Sequence, residues 1–434
     1  MEKIENKKIK ESAYIEKLEN GLKVIIIPKK NVSKKYIIWG THFGSIDNRF
    51  IMPVTNEEVF IPDGVAHFLE HKMFEQENGT NSLDTLMALG MEANAYTTND
   101  HTAYLFECTE DFYKGLDELM DYVQNPYFTD ENVEKEKGII GQEINMYDDD
   151  PGFQVYINAM ECMYKNNPVR LDIAGTVESI SKITPDVLYK CYNTFYNLGN
   201  MVMVVCGDFE PEQLLKEIKK RIKPAQKDQG EIKRIYPEEP KEIFEKTKIV
   251  KMEVSTPIFM IGIKDNNIDE SIKKHIAVEI ILSMLIGQSS KLYKKLYDEG
   301  LLLSEPELDY EFSKQYAHIL VGGQSKDPNK IYELFKMEVK KFIEEGLNSE
   351  DFERIKKKIY GQYVTEYNSV AEIARMFLND SFKNINSFDY INECPNVTLD
   401  FAKDVLKDIF KQENMVISIE SNWDGDNCFF LNNW

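Results

Sequence analysis

Short runs of β-branched and aromatic residues alternate along this chain with longer stretches whose apolar positions recur every three to four residues. NGLKVIIIPKK reads as a turn and a strand, and KKYIIWGTHFGS as a second strand. Over residues 64–89 the spacing becomes helical, with a break at GTNS, residues 79–82. ANAYTTNDHTAYLFEC then alternates and predicts two short strands joined at Asn99 and Asp100. Helices follow over 111–123 and from Asp130 through Glu143 to the acidic DDDP, the second opened by carboxylates that suit a helix amino terminus. NMVMVVCGD has the continuous apolar character of a buried strand, and PEQLLKEIKKRI closes the first half as a short helix. Residues 223–242 are polar, contain proline and show no period, which predicts a linker between a domain at 1–222 and one at 243–434.

The halves share a trace of sequence. KEKGIIGQE at 135–143 can be laid on IKKKIYGQY at 355–363 with a constant offset of 220, so that Glu143 meets Tyr363 and Glu136 meets Lys356. The match is either accident or duplication. Duplication predicts one fold used twice, with only the first copy keeping the acidic chemistry.

Composition narrows the function classes. A formal charge of -22 over 434 residues opposes binding to nucleic-acid phosphates and permits a basic peptide partner. The charged MEKIENKKIKESAY lacks the apolar core of a secretory signal, and IAVEIILSMLIG is too short for a membrane span and contains Glu279. Six scattered cysteines (108, 162, 191, 206, 394 and 428) without a CxxC pair predict reduced thiols and a cytoplasmic protein.

The chemistry concentrates in VAHFLEHKMFE, which holds two of the chain's six histidines. Residues four apart on a helix lie one above the other, so His67 and His71 can present two imidazoles to one metal ion, with Glu70 on the same side. Two neutral imidazoles suit Zn²⁺, although Mn²⁺ or Co²⁺ could occupy the same ligands. Glu70 is then placed to take a proton from water whose pKa the metal lowers, which is the machinery of metal-assisted peptide hydrolysis. About one chain in a hundred of this length and composition would contain HxxEH by chance.

HxxEH is the inverzincin signature. Together with GVAHFLEHKMFE, ANAYTTNDHTAYLF, EKEKGIIGQEINMYDDDP and AGTVESI in that order, the chain resembles the family of pitrilysin, insulin-degrading enzyme and mitochondrial processing peptidase. It resembles the half-size form, and within it the YmfH-like branch of Gram-positive bacteria. The resemblance implies an α+β fold of two related domains, each a mainly antiparallel sheet with helices on one face, forming a bowl-shaped half of a clamshell. It implies a zinc endopeptidase with one Zn²⁺ per chain, acting on short or unfolded peptides in an enclosed chamber.

The family's third zinc ligand is a glutamate on a later helix, which falls on Glu143, and the glutamate two turns earlier falls on Glu136 as a group that orients the site. The residues alone would leave Glu134 an equal candidate. ANAYT corresponds to the family's substrate-binding edge strand, with Asn94 and Ala95 holding the peptide backbone by strand addition. His101 follows a turn and reads as a surface or second-strand residue rather than a ligand.

The resemblance fails at one place. Active members carry an arginine and a tyrosine seven apart in the carboxy-terminal half; here Tyr297 stands for the arginine, and the tyrosine falls among Leu302, Leu303 and Ser304. Either Tyr293, Tyr297 or Tyr310 substitutes, or the chain forms a heterodimer with a zinc-less paralogue that supplies the pair. A homodimer, and a non-catalytic assembly subunit, are the competing readings.

Overall fold

The computed structural model describes residues 1–224 and 230–422; residues 225–229 of the expected linker, and Cys428, lie outside these. Fifteen strands occur among the described residues: β1 Glu2–Asn6, β2 Glu11–Lys17, β3 Lys23–Pro28, β4 Lys35–Thr41, β5 Arg49–Ile51, β6 Glu58–Phe60, β7 Glu92–Thr97, β8 Thr102–Cys108, β9 Met201–Gly207, β10 Lys233–Arg234, β11 Thr247–Lys251, β12 Ile258–Lys264, β13 Glu307–Phe312, β14 Ala317–Gln324 and β15 Met415–Ser421. The first large sheet runs β1-β2-β3-β9-β4-β8-β7 and the second β11-β15-β12-β14-β13, with β10-β5-β6 as a small third sheet.

The five strands β3-β9-β4-β8-β7 and the five of the second sheet have one topology. In each, only the first pair is parallel (β3 with β9, β11 with β15) and every other pair is antiparallel. The offset of 220 therefore marks a fold used twice. The long helices Asp130–Asp148 and Ser349–Glu366 carry the matched segments, and each is followed by a helix of 13 residues, Pro151–Met163 and Val370–Phe382.

Those following helices change sides. One compact unit consists of Met1–Ile144, Asp172–Tyr236 and Val364–Phe388; the other consists of Asn145–Leu171, Pro237–Tyr363 and the chain from Asp389. A boundary at 223–242 thus assigns 145–171 and 364–388 by chain order, whereas the structure packs each with the other half. The physical reason lies in the sheets. All seven residues of β9, and all seven of β15, are buried, the mark of a strand covered on both faces. In the first unit, Trp39, Ile37 and Val205 face the main helical layer, while Gly40, one position on, abuts Leu378 of Val370–Phe382 across the opposite face. In the second, Gly262 of β12 abuts Met163 in the same way.

MEKIENKKIKESAY opens the hairpin β1–β2, which lies at one edge of the first sheet. The described part of the expected linker is pinned rather than free. Arg234 Nε lies 2.9 Å from buried Asp47, Tyr236 donates to the same carboxylate at 2.7 Å, and Glu239 accepts from the backbone N–H groups of Lys165, Asn166 and Asn167.

Candidate active site

The HxxEH segment folds as the short helix Val65–Lys72, and Gly64 fixes where it starts. Gly64 adopts φ 93°, and a Cβ there would meet the carbonyl oxygen of Ala174 at 2.3 Å, so only glycine fits this turn. Val65, Ala66, Phe68 and Leu69 anchor the helix in the core of the first unit. His67, Glu70 and His71 are thereby aimed away from that core on one helix face, toward the helix Asp130–Asp148.

Glu143 receives them. Its Oε1 lies 3.7 Å from His67 Nε2 and its Oε2 lies 3.5 Å from His71 Nε2. All three donors fall within 4.8 Å of one another, the one such group of three among the described residues. Ligand atoms ~2.05 Å from a tetrahedral zinc ion are ~3.4 Å apart, close to the two carboxylate–imidazole separations, and two imidazoles with one carboxylate are a donor set of the kind zinc takes.

The surroundings orient the set. His71 Nδ1 is 3.1 Å from Glu136 Oε1, which fixes the ring and leaves Nε2 for the ion. Glu136 Oε2 is 3.4 Å from the ammonium of Lys72, which also bonds Glu75. Glu134 instead points outward to Lys137, so of the two candidates Glu136 is the one at the site. Thr97, at the end of β7, donates to Glu70 Oε2 at 2.6 Å.

Sequence reasoning missed Lys72 and Thr97. Both lie inside the quoted motifs, and the signal that marks them is tertiary: a lysine side chain only 1% exposed, and a strand end delivered beneath a helix. Lys72→Met removes the cation that holds Glu136, and metal affinity is expected to fall ~10–100-fold, measured by chelator competition, with Lys72→Arg recovering part of the loss.

Burial sets the protonation states. Desolvation, reinforced by His71, pushes His67 down to about 3, so its imidazole is neutral at any working pH. Desolvation pushes the Glu70 carboxyl up to about 7, against the opposing hydrogen bond from Thr97. Burial works against a charge on His71, yet the bond to Glu136 and the nearby carboxylates hold it above the ordinary imidazole value.

These shifts give a signed expectation. The metal-free fold binds more protons at Glu70 than the unfolded chain does between the ordinary 4.5 and about 7, so its stability falls as pH rises through that window. A metal must also displace the His71 proton, so its affinity rises with pH, by up to ~10-fold per unit for each proton released. The rise in melting temperature caused by zinc should therefore be larger at pH 8 than at pH 6, read by calorimetry of loaded and chelated protein. An equal rise at both values would contradict this assignment.

β7 forms the outer edge of its sheet, as the family likeness implies. Asn94 is exposed there, and its Oδ1 accepts from the backbone N–H of Ala95 at 2.9 Å. His101 departs from expectation. It is buried, bonded to Asp100 Oδ1 at 2.6 Å and packed on Phe382, because the 98–101 turn folds under the sheet end. In the second unit Tyr297 and Leu303 are exposed and Leu302 is buried, so no guanidinium stands at the position where the family carries arginine.

Comparison with known proteins bears on family and fold. A family model described as insulinase (peptidase family M16) matches residues 61–177, and one described as the peptidase M16 inactive domain matches residues 182–359. The Bacillus subtilis (strain 168) protein named uncharacterized zinc protease YmfH is 39% identical over 95% of this chain and 97% of its own length. A crystal structure of an M16-like peptidase from Alicyclobacillus acidocaldarius superimposes with a TM-score of 0.92 at 34% identity, covering 96% of this chain and 99% of that one. The periplasmic protease PqqL of Escherichia coli shares the fold at a TM-score of 0.74 and 17% identity, and the match covers 95% of this chain but 48% of PqqL.

Proposed function

The chain belongs to the insulinase family, peptidase family M16, and on that premise we propose that it is a zinc-dependent endopeptidase of short or unfolded peptides. The observation that carries the reading is the convergence of His67, His71 and Glu143 on one point, with the carboxylate of Glu70 on the same helix face.

His67, His71 and Glu143 would hold the ion, and zinc when bound would polarise the scissile carbonyl and acidify the attacking water. Glu70 takes the proton from that water as the new C–O bond forms. It returns a proton to the peptide nitrogen as the C–N bond breaks, so the carboxylate is regenerated. Thr97 keeps one oxygen of Glu70 engaged, leaving the other for the proton. The peptide lies along β7 as an added strand, with Asn94 and Ala95 bonding its main chain, which gives broad tolerance of side chains. A folded substrate has its strands already paired and is excluded.

The chain is inferred to act in a pair. PqqL carries this fold in roughly half of one longer polypeptide, and the arginine and tyrosine of active members have no equivalent among Tyr297, Leu302 and Leu303. Both observations favour a heterodimer with a zinc-less paralogue over a homodimer. Five free buried thiols among the described residues support a reducing, cytoplasmic setting, and no described helix is long and apolar enough to cross a membrane.

The test is cleavage of an unstructured peptide by the purified chain, with and without a zinc chelator. Chelator-sensitive cleavage by this chain alone supports the peptidase and removes the need for a partner. Zinc-loaded chain that cleaves only after the paralogue is added supports the heterodimer. Zinc-loaded chain inert in both states would leave it a non-catalytic subunit.

A further inference from the structure

The duplicated fold places a second constellation where the first unit has its metal ligands. In the second unit the helix Ile272–Leu285 packs beside the edge strand β13, as Val65–Lys72 packs beside β7. It carries His275 and Glu279, again four residues apart, with His275 Nε2 3.4 Å from Glu279 Oε1. Tyr363, from the helix Ser349–Glu366, donates its hydroxyl to the other oxygen, Oε2. Tyr363 is the residue that the offset of 220 lays on Glu143. The three side chains meet as His67, His71 and Glu143 do, with one histidine kept, one replaced by Glu279 and the third ligand replaced by a phenol.

The replacement closes the site. In the first unit 3.5–3.7 Å separates the carboxylate oxygens of Glu143 from the two imidazole nitrogens. In the second unit the phenol proton sits between Tyr363 and Glu279 and satisfies both. Taking up a divalent ion here would mean displacing the phenol proton from that hydrogen bond. The His275 ring is enclosed by Tyr310, Phe312 and Tyr390 at centroid distances of 5.7, 5.4 and 5.6 Å, and its Nδ1 is buried without a hydrogen-bond partner. The imidazole is therefore held in place by packing, with Nε2 turned to Glu279.

We propose that His275, Glu279 and Tyr363 form a latent divalent-cation site, closed in this chain by the Tyr363–Glu279 hydrogen bond and opened by a carboxylate at position 363. One unit thus ties its helix pair with a metal ion and the other ties the equivalent pair with a proton. Metal dependence of structure is confined to the first unit.

Metal content after zinc loading and desalting tests this. The native chain should carry one zinc and Tyr363→Glu two. Run also in a His67→Ala background, the same substitution should raise the content from none to one, which separates failure of this site from failure of the first. A folded Tyr363→Glu chain that gains no metal overturns the proposal, and so does a native chain that carries two and loses one on His275→Ala. Hydrogen exchange on the native chain gives an answer that needs no variant. Chelation should raise exchange in 65–72 and 130–148 and leave 272–285 and 349–366 unchanged; an equal rise in both pairs overturns the proposal.

Discussion

Glu70→Gln should leave zinc content unchanged and lower peptide cleavage by about 10²–10⁴-fold, the loss of one proton-transfer group at its usual worth. The amide has the shape of the carboxylate, and its oxygen can still accept the hydrogen bond from Thr97, 2.6 Å away in the native chain. What it cannot do is take a proton. The substitution also removes a buried carboxyl whose charge the surroundings disfavour, so the metal-free fold should be at least as stable as before. The experiment pairs a zinc assay with turnover of a quenched peptide. Cleavage within tenfold of native would remove Glu70 from the mechanism, and loss of zinc would make it a ligand instead.

His67→Ala should abolish stable metal binding. Changes to groups that only orient ligands cost ~10–100-fold in affinity, so deleting one of three direct ligands should cost more than ~100-fold. Content should drop from one zinc per chain to a small fraction after desalting, with cleavage lost in parallel. The fold should survive. His67 Nδ1 has no hydrogen-bond partner, and the helix is fixed by Phe68, Leu69 and the turn at Gly64 rather than by the imidazole. Retained zinc in the folded variant would mean that the ion sits elsewhere. Together the two substitutions divide holding the ion from moving the proton, which activity loss alone cannot do.

Much of this site is legible in the sequence because its parts are local or share a helical period. His67, Glu70 and His71 lie within one turn and a half, so spacing alone puts them on one face. Glu143 and Glu136, two turns apart, share a face of their helix for the same reason, but the period cannot say which face meets the histidines, and Glu134 competed until the fold turned it to solvent. Thr97 and Lys72 were in plain view yet unassigned, because their roles depend on a strand end and a helix meeting in space. His101 was misplaced for a related reason: a turn rich in Thr, Asn and Asp reads as exposed, while here Thr98 and Asp100 engage the His101 Nδ1 and the ring is covered by Phe382.

The fold divides along the same line. The hairpin β7–β8 and the strands β3, β4 and β9 follow from alternation and β-branched runs. The exchanged helices do not, because an amphipathic helix carries no record of which sheet it will cover. The fully apolar run in β9 was the available clue, since a strand buried on both faces needs a second cover.

That exchange sets a timetable on the ribosome. The first unit has its strands β1–β9 once residue 207 has emerged, but the helix that shields the outer face of β4 and β9 ends at Phe382, about 175 residues later. At ~5–20 residues per second the nascent sheet waits roughly 10–35 s with an apolar face uncovered. The protein cannot mature domain by domain as it is made. Whatever shelters that face until Phe382 has emerged governs how much of the protein reaches the native state.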